Sequence, residues 1–167
     1  MFEDKRKLIV GRLLRELKEV SSIALGPGIP QDVIPYLADT IKWYDLTRAD
    51  EIISPVDLVV VEALEVSEKG DMALPEDIKV NGLEAGRWIV AASILRGDGI
   101  TRIVKKCQLP VQKKGCVDLV LTELGVIEIS EVGFELRELS PGAASDEVRM
   151  NVQASLHVAD GIQGLKI

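Results

Sequence analysis

Leu25-Gly26-Pro27-Gly28-Ile29-Pro30 closes the short apolar segment Ser22 to Leu25 and opens a helical pattern, so its residue types decide how the chain turns. Gly26 and Gly28 permit backbone angles and close approaches that a Cβ forbids. Pro30 pre-sets the first turn of a helix, where its missing N–H is no loss. Two readings follow. The stretch is either a tight strand-to-helix turn serving the fold alone, or a bare backbone surface, Gly26, Gly28, Ile29 and Pro30, against which a ligand lies. With no third glycine in the spacing, it is not a dinucleotide-binding fingerprint.

Working outward, residues 3–19 read as an amphipathic helix, with Ile9, Leu13, Leu14 and Leu17 on one stripe and Lys5, Arg12, Glu16 and Lys18 opposite. Ser22 to Leu25 is a strand, Gln31 to Asp39 a helix and Ile41 to Asp45 a second strand. Asp57 to Val66 opens with a continuous β-branched run, as in a strand covered on both faces. Ser67 to Asp71 is a turn by its residue types.

Further along, Arg87 to Leu95 and Thr101 to Cys107 flank Arg96-Gly97-Asp98-Gly99, whose Asp-Gly is hairpin chemistry. Val117 to Leu121, Gly125 to Ser130 and Phe134 to Leu139 continue as strands. A last helix starts near Ser145, a residue able to cap it ahead of Asp146 and Glu147. Early βα units followed by adjacent strands predict an α/β class: an open, mainly parallel sheet with an antiparallel portion, flanked by helices. No linker or internal repeat divides residues 1–167, which read as one domain.

The composition narrows the partners. Twenty basic residues against 27 acidic ones give a net charge of −7, which argues against nucleic acid or an anionic membrane surface. Lys5-Arg6-Lys7 is followed by acidic residues within two turns and reads as a solvated helix face. Cys107 and Cys116, without a CxxC or a neighbouring histidine, read as reduced, packed thiols of a cytoplasmic protein rather than a disulfide or metal site. His157, the single histidine, reads as structural. The charged N-terminus does not resemble a signal peptide, and no apolar run approaches a membrane span.

These residues resemble the B (beta) subunits of family I coenzyme A transferases, enzymes that move CoA between 3-oxoacids and small carboxylates. Leu25 to Pro30 looks like that family's asparagine–leucine–glycine–isoleucine–glycine–isoleucine–proline turn. Asp57-Leu58 leading to Val66-Ser67-Glu68-Lys69-Gly70-Asp71-Met72-Ala73 stands in the same order, as does Ile103-Val104-Lys105-Lys106-Cys107-Gln108-Leu109-Pro110. Lys114-Gly115-Cys116-Val117-Asp118, Thr122-Glu123-Leu124-Gly125-Val126, and Leu139-Ser140-Pro141-Gly142 with Glu147-Val148-Arg149 follow at similar spacing. The resemblance implies a seven-stranded α/β sheet packed against an A (alpha) subunit of similar fold, or a homodimer. It also implies CoA or acyl-CoA as ligand, with no resident covalent cofactor and no metal.

The active site departs from that pattern. In the family, a glutamate in a serine–glutamate–asparagine–glycine segment attacks the acyl-CoA carbonyl; here Thr47-Arg48-Ala49-Asp50 occupies that segment, and Arg48 stands at the nucleophile position. A guanidinium is always cationic and cannot be the nucleophile. Arg48 reads either as a surface arginine or, with Lys42 and Arg87, as a new anion site. The chain then runs almost at once to Pro55-Val56-Asp57-Leu58, without the family's enclosing loops. Leu83 and Glu84 stand where bare backbone N–H groups are expected, and Glu84 would repel an anionic ligand. Glu51 and Glu62 are the substitute carboxylates, each otherwise readable as a solvated or cation-paired residue.

Three functional expectations follow. The first is a catalytically degenerate B-type subunit acting as a partner in acyl-CoA metabolism. The second is an active transferase or acyl-CoA hydrolase using Glu51 or a partner's glutamate. The third is a ligand-binding protein that keeps the glycine turn as an anion site.

Overall fold

The computed structural model describes residues 2–164. Among these, eleven strands follow in chain order: β1 (Ser22–Leu25), β2 (Lys42–Asp45), β3 (Val56–Val61), β4 (Glu65–Ser67), β5 (Met72–Ala73), β6 (Ala85–Ala91), β7 (Ile103–Val104), β8 (Leu119–Leu121), β9 (Gly125–Ser130), β10 (Gly133–Leu139) and β11 (Leu156–Gly164). Two α-helices join them, α1 (Phe2–Leu14) and α2 (Ser145–Met150). Eight strands form one open sheet in the order β11-β10-β9-β8-β6-β3-β1-β2. The strands from β2 to β8 are parallel, β9 and β10 are antiparallel to one another and β9 to β8, and β11 runs parallel to β10. β5, β4 and β7 make a separate three-stranded sheet. The expected mixed α/β class is the one observed, with eight strands rather than seven in the main sheet.

The β-branched run of β3 explains its central place. Leu58 and Val60 face one core, Val59 and Val61 the other, and all four are buried. On the first face, Ile9, Val10 and Leu13 of α1 and Ile29 and Val33 pack over β1, β3 and β6. The second face is covered by the small sheet through Val66, Met72 and Ile103, by irregular chain carrying Leu74, Ile78, Val80 and Leu83, and by Val148 of α2.

Several boundaries differ from the sequence reading. The first helix ends at Leu14 and tightens into a 3-10 turn at Arg15–Leu17, a common way for a helix to finish. The expected second helix is a 3-10 segment, Ile29–Tyr36, because Pro35 inside it has no N–H for an α-type bond. The run 57–66 is two strands: the chain leaves the main sheet at Val61, and Val66 N–H pairs instead with the Arg102 carbonyl. Ser145 is the first helical residue and Ala144 holds the cap position, without a side-chain cap bond. His157 lies exposed on β11, a strand outside the sequence reading.

A buried ion network fastens α1 to the sheet. Arg12 donates from Nε to Glu138 Oε2 at 2.6 Å and from Nη1 to Glu16 Oε1 at 2.5 Å, and Arg87 donates to Glu16 Oε2 at 2.5 Å. Burial alone raises the Glu16 pKa, but hydrogen bonds and charge from Arg87 and Arg12 outweigh it and hold the carboxyl below its ordinary 4.5. A carboxyl depressed in the folded state contributes stability above its unfolded pKa and loses it as pH falls through the folded value. The urea midpoint is therefore expected to drop as pH is lowered below 4.5, and Glu16→Gln to remove part of that acid-dependent drop. An unchanged pH profile in Glu16→Gln would show that the network is electrostatically idle.

Candidate functional site

Strand order reverses at β1, which has β2 on one side and β3 on the other. In open α/β sheets, ligands bind beyond the carboxyl ends of strands at such a reversal. Here β1 runs into Gly26, Pro27 and Gly28, while β3 runs into Glu62. Between these strand ends lies a crevice of about 280 Å³, also lined by Val61, Leu64, Leu74, Pro75, Ile78 and Arg102.

The glycine turn has a resident neighbour. Gly28 adopts φ 91° and ψ −139°, a conformation open essentially to glycine alone. A Cβ at Gly28 would lie 1.9 Å from Glu62 Oε2, so the carboxylate of Glu62 rests against the bare Cα. Gly26 Cα carries no such contact: a Cβ there would meet Val60 and Val61 at 3.5 Å or beyond. Ile29 and Pro30 are buried in the core and do not line the crevice. Of the four residues expected to face a ligand, Gly26 and Gly28 line this crevice.

Arg102 is the cation of the crevice. Its Nε donates to Ser93 O at 2.8 Å and its Nη1 to Ala63 O at 2.7 Å, which fixes the guanidinium on two backbone carbonyls. Burial pulls its pKa below the ordinary value; Glu62 opposes this and Arg96 adds to it, with Glu123 and Asp98 opposing more weakly. The group stays cationic regardless. Glu123 accepts the Ile94 N–H at 2.8 Å and is itself buried. Sequence reasoning misses Arg102 because spacing does not link it to the glycine turn. The one hint is an isolated arginine directly before the buried pair Ile103-Val104.

Arg48 lies elsewhere. It is exposed and lines a separate cleft of about 410 Å³ with Lys42, Trp43, Tyr44, Asp45 and Glu51 at the end of β2. Asp45 Oδ1 accepts from both Thr47 N–H and Thr47 Oγ1, and these bonds hold the Asp45 carboxyl below its usual range. Lys42 thus shares the cleft with Arg48 and Glu51, whereas Arg87 is engaged with Glu16 near α1. Leu83 and Glu84 also depart from expectation. They precede β6 at the amino end of the parallel strands, with the Glu84 carbonyl bound by Val56 N–H, opposite to the crevice. Glu84 therefore exerts no local repulsion on a ligand there.

Both cysteines are free, with Cys107 Sγ near Asp71 O and Cys116 Sγ near Gly70 O. Burial, reinforced for Cys107 by Glu65, pushes each thiol up to about 11, which keeps both protonated. Among the described residues, no three or more His, Cys, Asp or Glu side chains are grouped so as to hold a metal ion. No described helix is long and apolar enough to cross a membrane.

No protein-family model matches the sequence. The chain is 31% identical over 129 residues to a probable coenzyme A transferase subunit beta of Bacillus subtilis, covering 70% of this chain and 59% of that protein. It is 24% identical to the acetate CoA-transferase subunit beta of Haemophilus influenzae, covering 97% of this chain and 96% of that protein. The latter alignment extends over 213 positions against 167 residues, so the relative carries segments that this chain lacks. The chain spans little more than half the length of the first curated relatives it matches, 59% and 55%. Its fold is that of the acyl-CoA transferase from E. coli O157:H7 in thioester complex with CoA, with a TM-score of 0.77, 16% identity, and coverage of 97% of this chain and 43% of that one. Beta subunits on the sequence side and an acyl-CoA transferase on the structural side agree with the ordered motifs running from the glycine turn to α2: the chain belongs to the family I coenzyme A transferases, as a member of the B-subunit type.

Proposed function

We propose that this chain is the B-type half of a two-subunit assembly related to coenzyme A transferases, and that it binds an acyl-CoA-class ligand without forming a covalent intermediate on its own residues. The observation that carries this reading is the exposed guanidinium of Arg48, in the segment that the resemblance aligns with the family's nucleophile. A guanidinium has no electron pair to offer a thioester carbonyl, so the acyl-enzyme anhydride and the enzyme–CoA thioester have no place to form. Glu51, beside Arg48, opens on a different hollow from the glycine turn. Relatives that are themselves B or beta subunits of transferases support an A-type subunit as partner, and the resemblance to an acyl-CoA transferase with bound CoA supports CoA as ligand.

The second reading, turnover through Glu62, rests on the place of that carboxylate against the turn. One experiment separates the two. The chain, alone and with an A-type subunit, is incubated with acetyl-, acetoacetyl- and succinyl-CoA and followed by intact mass and borohydride trapping. No CoA adduct or reduced glutamate is expected on this chain, while calorimetry with free CoA detects binding. An adduct on Glu62 or Glu51 establishes the second reading, and absence of both adduct and CoA binding removes the ligand role.

A further inference from the structure

The crevice at the end of β1 and β3 has apolar walls from Val61, Leu64, Leu74 and Ile78, and two charged groups, Glu62 and Arg102. Arg102 is fixed by the carbonyls of Ser93 and Ala63, and the Glu62 carboxylate rests against the bare Cα of Gly28. They feel each other's charge, yet no direct ion pair joins them among the described residues. Among the same residues, Arg102 Nη2 and the Glu62 carboxylate have no protein hydrogen-bond partner either.

A fixed cation and a carboxylate that line one crevice without an ion pair between them give that space a defined chemistry. A guanidinium only donates and a carboxylate only accepts. The group that satisfies both must accept on one side and donate on the other. A secondary or primary amide does this, its carbonyl oxygen taking an Arg102 N–H and its N–H reaching Glu62. A free carboxylate of the same size gains Arg102 but faces Glu62 as a like charge and has nothing to donate.

We propose that Glu62 is the specificity-determining residue of this crevice: as the counter-charge to Arg102, it admits a short apolar chain ending in an amide and refuses the matching carboxylate. The inference rests on the reading above that the chain binds an acyl-CoA-class ligand, and it assigns that ligand's acyl end to this crevice rather than to the Arg48 cleft. It adds that the ligand's charge class is set by one residue, and that changing the residue changes the class.

Butyramide and butyrate are near-isosteric and differ in charge, which makes them the probes. Each is titrated against the wild-type chain and Glu62→Gln by ligand-observed NMR, with the Arg102 Nε–H resonance followed in labelled protein and folding checked by circular dichroism. Wild type is expected to bind butyramide about tenfold more tightly than butyrate, and Glu62→Gln to gain about tenfold for butyrate, since Arg102 is then uncompensated. Adding Arg102→Gln to Glu62→Gln is expected to remove that gain. Should Glu62→Gln misfold, Glu62→Ala carries the same expectation for butyrate. Equal butyrate binding by wild type and variant, or no binding of either compound to any of these proteins, overturns the proposal. Coenzyme A titrated on the same samples keeps the two claims apart. Reversal of preference without CoA binding leaves this inference standing and removes the ligand reading above, and CoA binding without reversal does the opposite.

Discussion

Leu13→Asp is expected to abolish cooperative folding or to leave the protein insoluble. Leu13 is fully buried between α1 and the sheet, in the cluster that includes Ile9, Ile23, Leu58, Val60 and Ile89. Truncation to alanine there would already cost about 2–5 kcal/mol. Aspartate adds an unpaired carboxylate in an apolar setting, a penalty of several kcal/mol against a total stability of roughly 5–15 kcal/mol for a domain. Arg12 is the nearest cation in sequence, but it is committed to Glu16 and Glu138 and cannot serve the new carboxylate without breaking the network that docks the helix. The measurement is a urea titration and thermal melt by circular dichroism. A soluble variant melting at the wild-type temperature would place α1 off the sheet and refute the packing.

The stripe that supports this expectation is readable from sequence because period-3.6 patterning and burial are the same fact seen twice: Ile9 and Leu13 are both buried. Central strands are readable for a similar reason. β1 and β9 fall on their expected boundaries, since each is bounded by residues that stop pairing, a glycine turn after Leu25 and the Ser130 to Gly133 turn. Elements whose limits depend on distant partners are not. β3 ends at Val61 because residues 64–66 pair with Ala73 and Arg102, and the apolar alternation runs across that corner without interruption. β11 packs Leu156, Val158 and Ile162 on the core, but His157, Asp160 and Gly161 interrupt the strand pattern on this edge.

At the site, what depends on backbone is legible and what depends on assembly is not. Two glycines before a proline announce a close approach, and the approach exists. Its occupant, Glu62, stands out in the sequence as a carboxylate in its own right but has no visible link to the turn, because the two meet only when β1 and β3 pair. Arg102 enters through the carbonyls of Ser93 and Ala63, contacts that no local pattern encodes. Glu84 shows the converse error. Its position along the order of the resembled motifs points to the ligand, while the fold sets it just before β6, at the end of the parallel strands opposite to the crevice.

Gly28→Ala tests which of the two readings of the turn accounts for its glycine. The substitution meets two separate obstacles. The backbone at φ 91° and ψ −139° is strained for any residue with a Cβ, at a cost of about 1–3 kcal/mol that no neighbour can relieve. The new Cβ also meets Glu62 Oε2 at 1.9 Å, but that atom is the end of a side chain with rotatable bonds, so it can swing aside. A double-mutant cycle divides the two terms. Gly28→Ala alone is expected to lower stability by about 1–3 kcal/mol or somewhat more, and Gly28→Ala with Glu62→Ala to recover only the smaller, steric share. That outcome assigns the glycine to the turn itself, with Glu62 placed opportunistically in the space the turn leaves. If Glu62→Ala instead restores full stability to the Gly28→Ala chain, the backbone conformation is cheap and the glycine exists to seat the carboxylate. The bare surface is then a carboxylate seat by construction, with Glu62 as its occupant. A Gly28→Ala chain as stable as wild type would mean that neither obstacle is real, and that the turn relaxes into a conformation open to any residue.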